Sequence, residues 1–232
     1  MLCLASLMMT VAGSACHGMF PDTGPTSTVT SPPAPVPTGA SSGRIESLDV
    51  TADLITHNQA AQIGFSIPVE GAIERSLGII TRWELPIPVY VDLSIPSACV
   101  QDAMDYWQSV TGVSYVLVDA DAQPRMTVRA AASDELNVSA GSGLVYRTYP
   151  NNRARLGVVK ILTGNAMCTV PSALFRHELG HALGIFGHPP GGLMSSPLVG
   201  MSASPREIAM LTQLYRLPHG SRIGSDGSWA VQ

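Results

Sequence analysis

The run Phe175-Arg176-His177-Glu178-Leu179-Gly180-His181-Ala182-Leu183-Gly184-Ile185-Phe186-Gly187-His188 constrains this chain more than any other. His177 and His181 stand four positions apart. On an α-helix that spacing stacks two imidazoles on one face, one turn apart, where they can share a single zinc ion. Glu178 lies beside them, placed to take a proton from a water that the metal activates. Gly184 tolerates the left-handed backbone that ends a helix and turns the chain back, which brings up His188 as a third ligand. Met194 follows in Gly192-Leu193-Met194-Ser195. A bare pair of surface histidines needs neither the glycine, the third histidine nor the methionine. The run therefore predicts a zinc site on a helix over about 172–183.

The length of 232 residues suits one domain with a tail, or two small domains. A hydrophobic share of 45% is enough for a core. A net charge of −4 without any basic run argues against a nucleic-acid partner. Residues 1–16 read as a signal peptide, because the run up to Ala15 is uncharged, largely apolar and too short to cross a bilayer comfortably. The first Lys or Arg is Arg44, so the positive start usual in such signals is missing. Gly13-Ser14-Ala15-Cys16 resembles a lipoprotein processing site, and Cys16 would then carry a lipid anchor; ordinary cleavage after Ala15 stays open beside it. Residues 17–43 are rich in Pro, Ser, Thr and Gly and are expected as a disordered linker. The expected location is outside the cytoplasm, secreted or anchored as a lipoprotein on a bacterial cell envelope.

Residues 44–80 read as an N-terminal extension or short propeptide, with an alternating strand at 63–67. Within 86–92, Ile87, Val89 and Val91 share one strand face. Ser97 is placed to cap a helix running to about 110, and Val100, Ala103, Met104, Trp107 and Val110 form its core stripe. Strands are expected at 113–118, 125–129 and 156–162. Leu144, Val145, Tyr146, Arg147, Thr148 and Tyr149 follow a Gly-Ser-Gly turn and stop at Pro150, which reads as an edge strand. A last helix over 204–217 starts at Ser204-Pro205-Arg206-Glu207 and turns Ile208, Leu211, Leu214 and Tyr215 to one side. The fold class is α+β, a mixed α/β sheet with packed helices, in a catalytic domain over 81–220 followed by a C-terminal tail over 221–232. Cys99 and Cys168 are an even pair in an exported domain, so either a disulfide or two buried thiols fits.

His-Glu-x-x-His-x-x-Gly with a later His and a nearby Met resembles the metzincin metallopeptidases, and among them the matrixins. The resemblance covers about 83–217. It implies a metzincin-like zinc peptidase fold and one catalytic Zn2+ held by His177, His181 and His188. It further implies Glu178 as general base, Met194 in a turn beneath the metal, and an extended peptide substrate paired to the edge strand at 144–149. Pro197 and Leu198 would wall the side-chain pocket. The chain departs from the family in three ways. One extra residue precedes His188, and Gly187 is placed to absorb it. The cysteine-switch propeptide motif is absent. The acidic loops that hold structural Ca2+ have no clear counterpart, since Asp119, Asp121, Asp134 and Glu135 read as solvated loop charges. Glu207 is an alternative third ligand, in the manner of a gluzincin, against which the methionine and the glycines argue. The competing function is a non-catalytic surface lipoprotein that keeps a metallopeptidase fold as a binding module.

Overall fold

The structure, a computed structural model, describes residues 42–63, 80–132, 134, 142–148, 153–162, 168–185, 187–196, 198 and 200–231. In chain order these carry β1 (Ser42–Arg44), α1 (Leu48–Ile63), β2 (Ile87–Val91), α2 (Ser97–Thr111), β3 (Tyr115–Leu117) and β4 (Arg125–Ala131). They continue with β5 (Ser142–Thr148), β6 (Arg153–Leu162), α3 (Ala173–Leu183), α4 (Pro205–Arg216), β7 (Ser221–Ile223) and β8 (Ser228–Val231). All belong to one contact unit, Pro35–Gln232. The fold is α+β, as the order of apolar patterns predicts.

The main sheet has the order β3-β2-β4-β6-β5. Its first four strands run parallel, and β5 closes one edge antiparallel to β6. The alternation that suggested β2 is real burial: Ile87 and Val89 are fully buried. Met126 and Val128 do the same on β4. Helices α2 and α3 pack on each other, and α3 also lies against β5 and β6. Trp83, Trp107, Phe175, Met126, Ile161 and Leu211 are among the largest side chains filling the space between. Trp107 is core, and its indole N–H donates to the Arg176 carbonyl at 2.7 Å.

Four segments differ from the sequence expectation. Ser42 and Gly43, expected within the disordered linker, belong to β1, because β8 supplies them with a strand partner. Ile63 ends a helix rather than starting a strand at 63–67, because α1 continues through it; 64–67 lie outside the described residues. Ser97 is the first residue of α2, with Pro96 at the cap position. Residues 221–231, set apart above as a tail, form the β7–β8 hairpin, and β8 pairs with β1 at the other end of the chain. The Trp229 ring lies over Gly43, where an added Cβ would come within 2.7 Å of Cζ2. Helix α1 packs on α4, and Arg206 clamps Asp53 with both Nε and Nη2 at 2.7 Å. The segment 44–63 is thereby part of the same packed body as the rest. Strand partners so far apart in sequence leave no local periodicity to read.

Asp102 on α2 sets the entry of α3. Its carboxylate takes Arg176 Nε at 2.9 Å, Arg176 Nη2 at 2.8 Å and the Ser172 backbone N–H at 3.2 Å. The bonds from Arg176 hold the Asp102 carboxyl below its usual value of 3.8. A carboxyl with a depressed folded pKa contributes stability above its unfolded pKa, and loses it as pH falls through the folded value. Wild type should therefore lose thermal stability below about pH 4, and Asp102→Asn should lose less there. Melting curves from pH 5 to pH 2 check this; parallel curves for the two proteins would count against it.

Candidate metal centre

The local sequence explains why α3 forms where it does. Ser172 caps it, its Oγ accepting from the Phe175 N–H at 3.4 Å. Phe175, Leu179, Ala182 and Leu183 bury the apolar side. At the other end Gly184 has φ +131°, and its N–H reaches back to the Gly180 and His181 carbonyls. The turn it permits swings the next carbonyl, that of Ile185, toward His181.

His177, Glu178 and His181 are buried at 7%, 2% and 8% exposure. Buried imidazoles need hydrogen-bond partners. His177 Nδ1 lies 2.7 Å from the Leu193 carbonyl and His181 Nδ1 lies 2.5 Å from the Ile185 carbonyl. A carbonyl oxygen only accepts, so each Nδ1 carries the proton and each Nε2 presents a lone pair. The two Nε2 atoms face each other at 3.0 Å. Two lone pairs at that distance repel, and a cation between them reverses the sign. Zinc–nitrogen bonds of about 2.0–2.1 Å span that gap from a shared ion.

His188 completes the group. Its ring centroid is 5.4 Å from that of His177 and 4.9 Å from that of His181. The three residues offer one ligand nitrogen each within 4.8 Å of one another, with His188 exposed and the other two buried. The donor set therefore fits one divalent metal ion, with His188 on its solvent-exposed side. Burial pushes the His177 imidazole below its ordinary value. Burial, reinforced by the neighbouring His177, pushes His181 down to about 3. Both rings are then neutral near pH 7, the form that ligates a metal.

Met194 is fully buried in the loop between α3 and α4. Its thioether sits against α3 at Gly180. An alanine Cβ at 180 would fall on Met194 Sδ and lie 2.9 Å from Trp107 Cζ2. Glycine to alanine inside a helix ordinarily stabilises, by about 1 kcal/mol. Here overpacking, at about 1–3 kcal/mol, outweighs that gain. Gly180→Ala should lower the denaturation midpoint of the protein, and a raised midpoint would show that Met194 moves aside freely.

Glu207 does not join the histidines. It is the N3 residue of a capping box at the start of α4, with Ser204 Oγ and Glu207 N–H 3.3 Å apart. Its Oε1 accepts from the Met194 N–H at 2.9 Å and its Oε2 from the Ser204 N–H at 2.6 Å. The carboxylate is thus engaged by two backbone donors, which corrects the alternative that made it a metal ligand. The capping box itself was readable from Ser204-Pro205-Arg206-Glu207; the reach to Met194 was not. Equally unreadable were the acceptors behind the imidazoles, because a backbone carbonyl leaves no mark in sequence.

Cys99 on α2 and Cys168, just ahead of α3, form a disulfide with Cα atoms 6.4 Å apart. Strand β5 carries Leu144, Val145, Tyr146, Arg147 and Thr148 on the sheet edge, with a register shift between Tyr146 and Arg147. Tyr149, Pro197, Cys16 and Glu135 lie outside the described residues. Leu198, in the expected pocket wall, is 40% exposed.

No protein-family model and no curated protein matches the chain. Among solved structures the chain is similar to high choriolytic enzyme 1, a hatching-enzyme zinc protease of the medaka fish Oryzias latipes. The identity is 19% and the TM-score 0.33, over 49% of this chain and 52% of that one. The chain thus matches about half the length of that protein.

Proposed function

We propose that this chain is a metzincin-like zinc endopeptidase. The observation that carries the reading is the pair of Nε2 lone pairs of His177 and His181, facing each other at 3.0 Å with both Nδ1 protons tied to carbonyls, beside a third imidazole. His177, His181 and His188 would hold the ion. When bound, zinc supplies Lewis acidity, acidifying a water toward neutral pH and polarising a carbonyl. Glu178 is the general base: next to His177 on α3, it accepts a proton and returns it to the leaving nitrogen. Strand β5 offers the substrate surface. Among the described residues it pairs on one side only, with β6, and α3 packs beside it. An extended peptide can add to such an edge through main-chain hydrogen bonds.

The test is elemental analysis joined to cleavage profiling of a peptide library. The purified protein should hold one zinc and cut peptides, and a chelator should stop the cutting. His188→Ala should hold zinc more weakly and lose most activity. Full occupancy and activity in that variant would remove His188 from the site. A folded, zinc-loaded protein that cuts nothing would favour the binding-module reading.

A further inference from the structure

We propose that Glu207 is a positioning residue for the metal centre, acting on His177 through the single peptide group that joins Leu193 to Met194. That peptide's N–H, on Met194, donates to Glu207 Oε1 at 2.9 Å. Its carbonyl, on Leu193, accepts from His177 Nδ1 at 2.7 Å. Carboxylate, amide and imidazole therefore form one hydrogen-bonded line that ends at the ligating Nε2. The negative charge polarises the amide and strengthens its carbonyl as an acceptor. The carbonyl then draws on the Nδ1 proton, fixes the ring's tautomer and orientation, and raises electron density at Nε2.

Two further observations show a site built around this carboxylate. Glu207 is 1% exposed, and a charge so deeply buried is tolerated only when fully bonded. Capping α4 requires only the contact between Glu207 Oε2 and the Ser204 N–H. The second oxygen instead crosses to the loop that carries Met194. Gly192 leaves room for it, since a Cβ there would fall on the Glu207 carboxylate. The line thus supplies the acceptor chain behind a metal-ligating histidine that the capping role does not account for.

The inference rests on the zinc reading above, and the experiment separates the two. The zinc dissociation constant is measured by competition with a chromophoric chelator for wild type, Glu207→Gln and Ser204→Ala. Glu207→Gln should weaken zinc binding by about 10- to 100-fold. Ser204→Ala loosens the same helix start and should lower the melting temperature, yet leave zinc affinity within about twofold. In the zinc-loaded protein, the His177 Nδ1–H resonance should move upfield in Glu207→Gln while that of His181 stays in place. If Glu207→Gln does not fold, Glu207→Asp replaces it, since it keeps the charge near Ser204 and withdraws it from Met194; a several-fold loss of affinity is then expected. Unchanged affinity in the Glu207 variant, an equal loss in Ser204→Ala, or both histidine resonances moving together would overturn the inference. A folded wild type that takes up no zinc would overturn the zinc reading beneath it, and the inference with it.

Discussion

Replacing Glu178 with glutamine is expected to lower peptide hydrolysis by about 100- to 10,000-fold while zinc stays bound. Glutamine matches glutamate in shape, so the buried position, 2% exposed on α3, should stay filled. What is lost is the ability to take a proton. The neighbouring imidazoles keep their own supports, because His177 and His181 are held by the Leu193 and Ile185 carbonyls and not by Glu178. Two readouts on the same samples check this: kcat/KM on a peptide found by library profiling, and zinc stoichiometry by elemental analysis. A variant that keeps its zinc and its rate would show that Glu178 is not the base. Loss of zinc together with rate would give Glu178 a structural part in the centre instead.

Removing the disulfide should cost about 4 kcal/mol of stability, from the chain-entropy estimate for a closed loop of this size. The bond spans 69 residues, and so restricts the unfolded chain strongly. It also ties the approach to α3 onto α2, the pair of helices that Asp102 and Arg176 already join. Cys99 is 1% exposed and calls for alanine, since serine would bury a hydroxyl there. Denaturant unfolding of Cys99→Ala/Cys168→Ala against the oxidised wild type measures the difference. Wild type treated with a reductant should fall with the double variant. If wild type unfolds at the same midpoint with and without reductant, the bond contributes nothing to the fold.

Much of the structure is legible because it obeys short periods. The 3.6-residue period places His177 and His181 on one face, and the period of two in 86–92 and 125–129 gives β2 and β4. Ser204 and Glu207 mark the start of α4 through a box that closes within three residues. Even so, α4 buries Met210 where the apolar pattern favoured Ile208, and buries the charged Glu207 because two backbone donors meet it. The edge strand β5 was readable before Pro150, but the Gly-Ser-Gly expected as a turn ahead of it is not one: Ser142 and Gly143 already pair with Lys160 and Val159 in the ladder.

The sequence by itself determined which side chains this protein brings to one helix: two imidazoles a turn apart, a carboxylate between them, and a glycine that returns the chain toward a third imidazole. Local backbone geometry is sufficient for that. Only the tertiary structure decided how those groups are held. The carbonyls of Leu193 and Ile185 set the imidazole tautomers, Glu207 reaches the peptide behind His177, and β8 closes onto β1 from the far end of the chain. These contacts join residues through backbone atoms, or across most of the chain length. No spacing rule encodes them; they exist because packing brings these buried polar groups and strand edges to complementary partners.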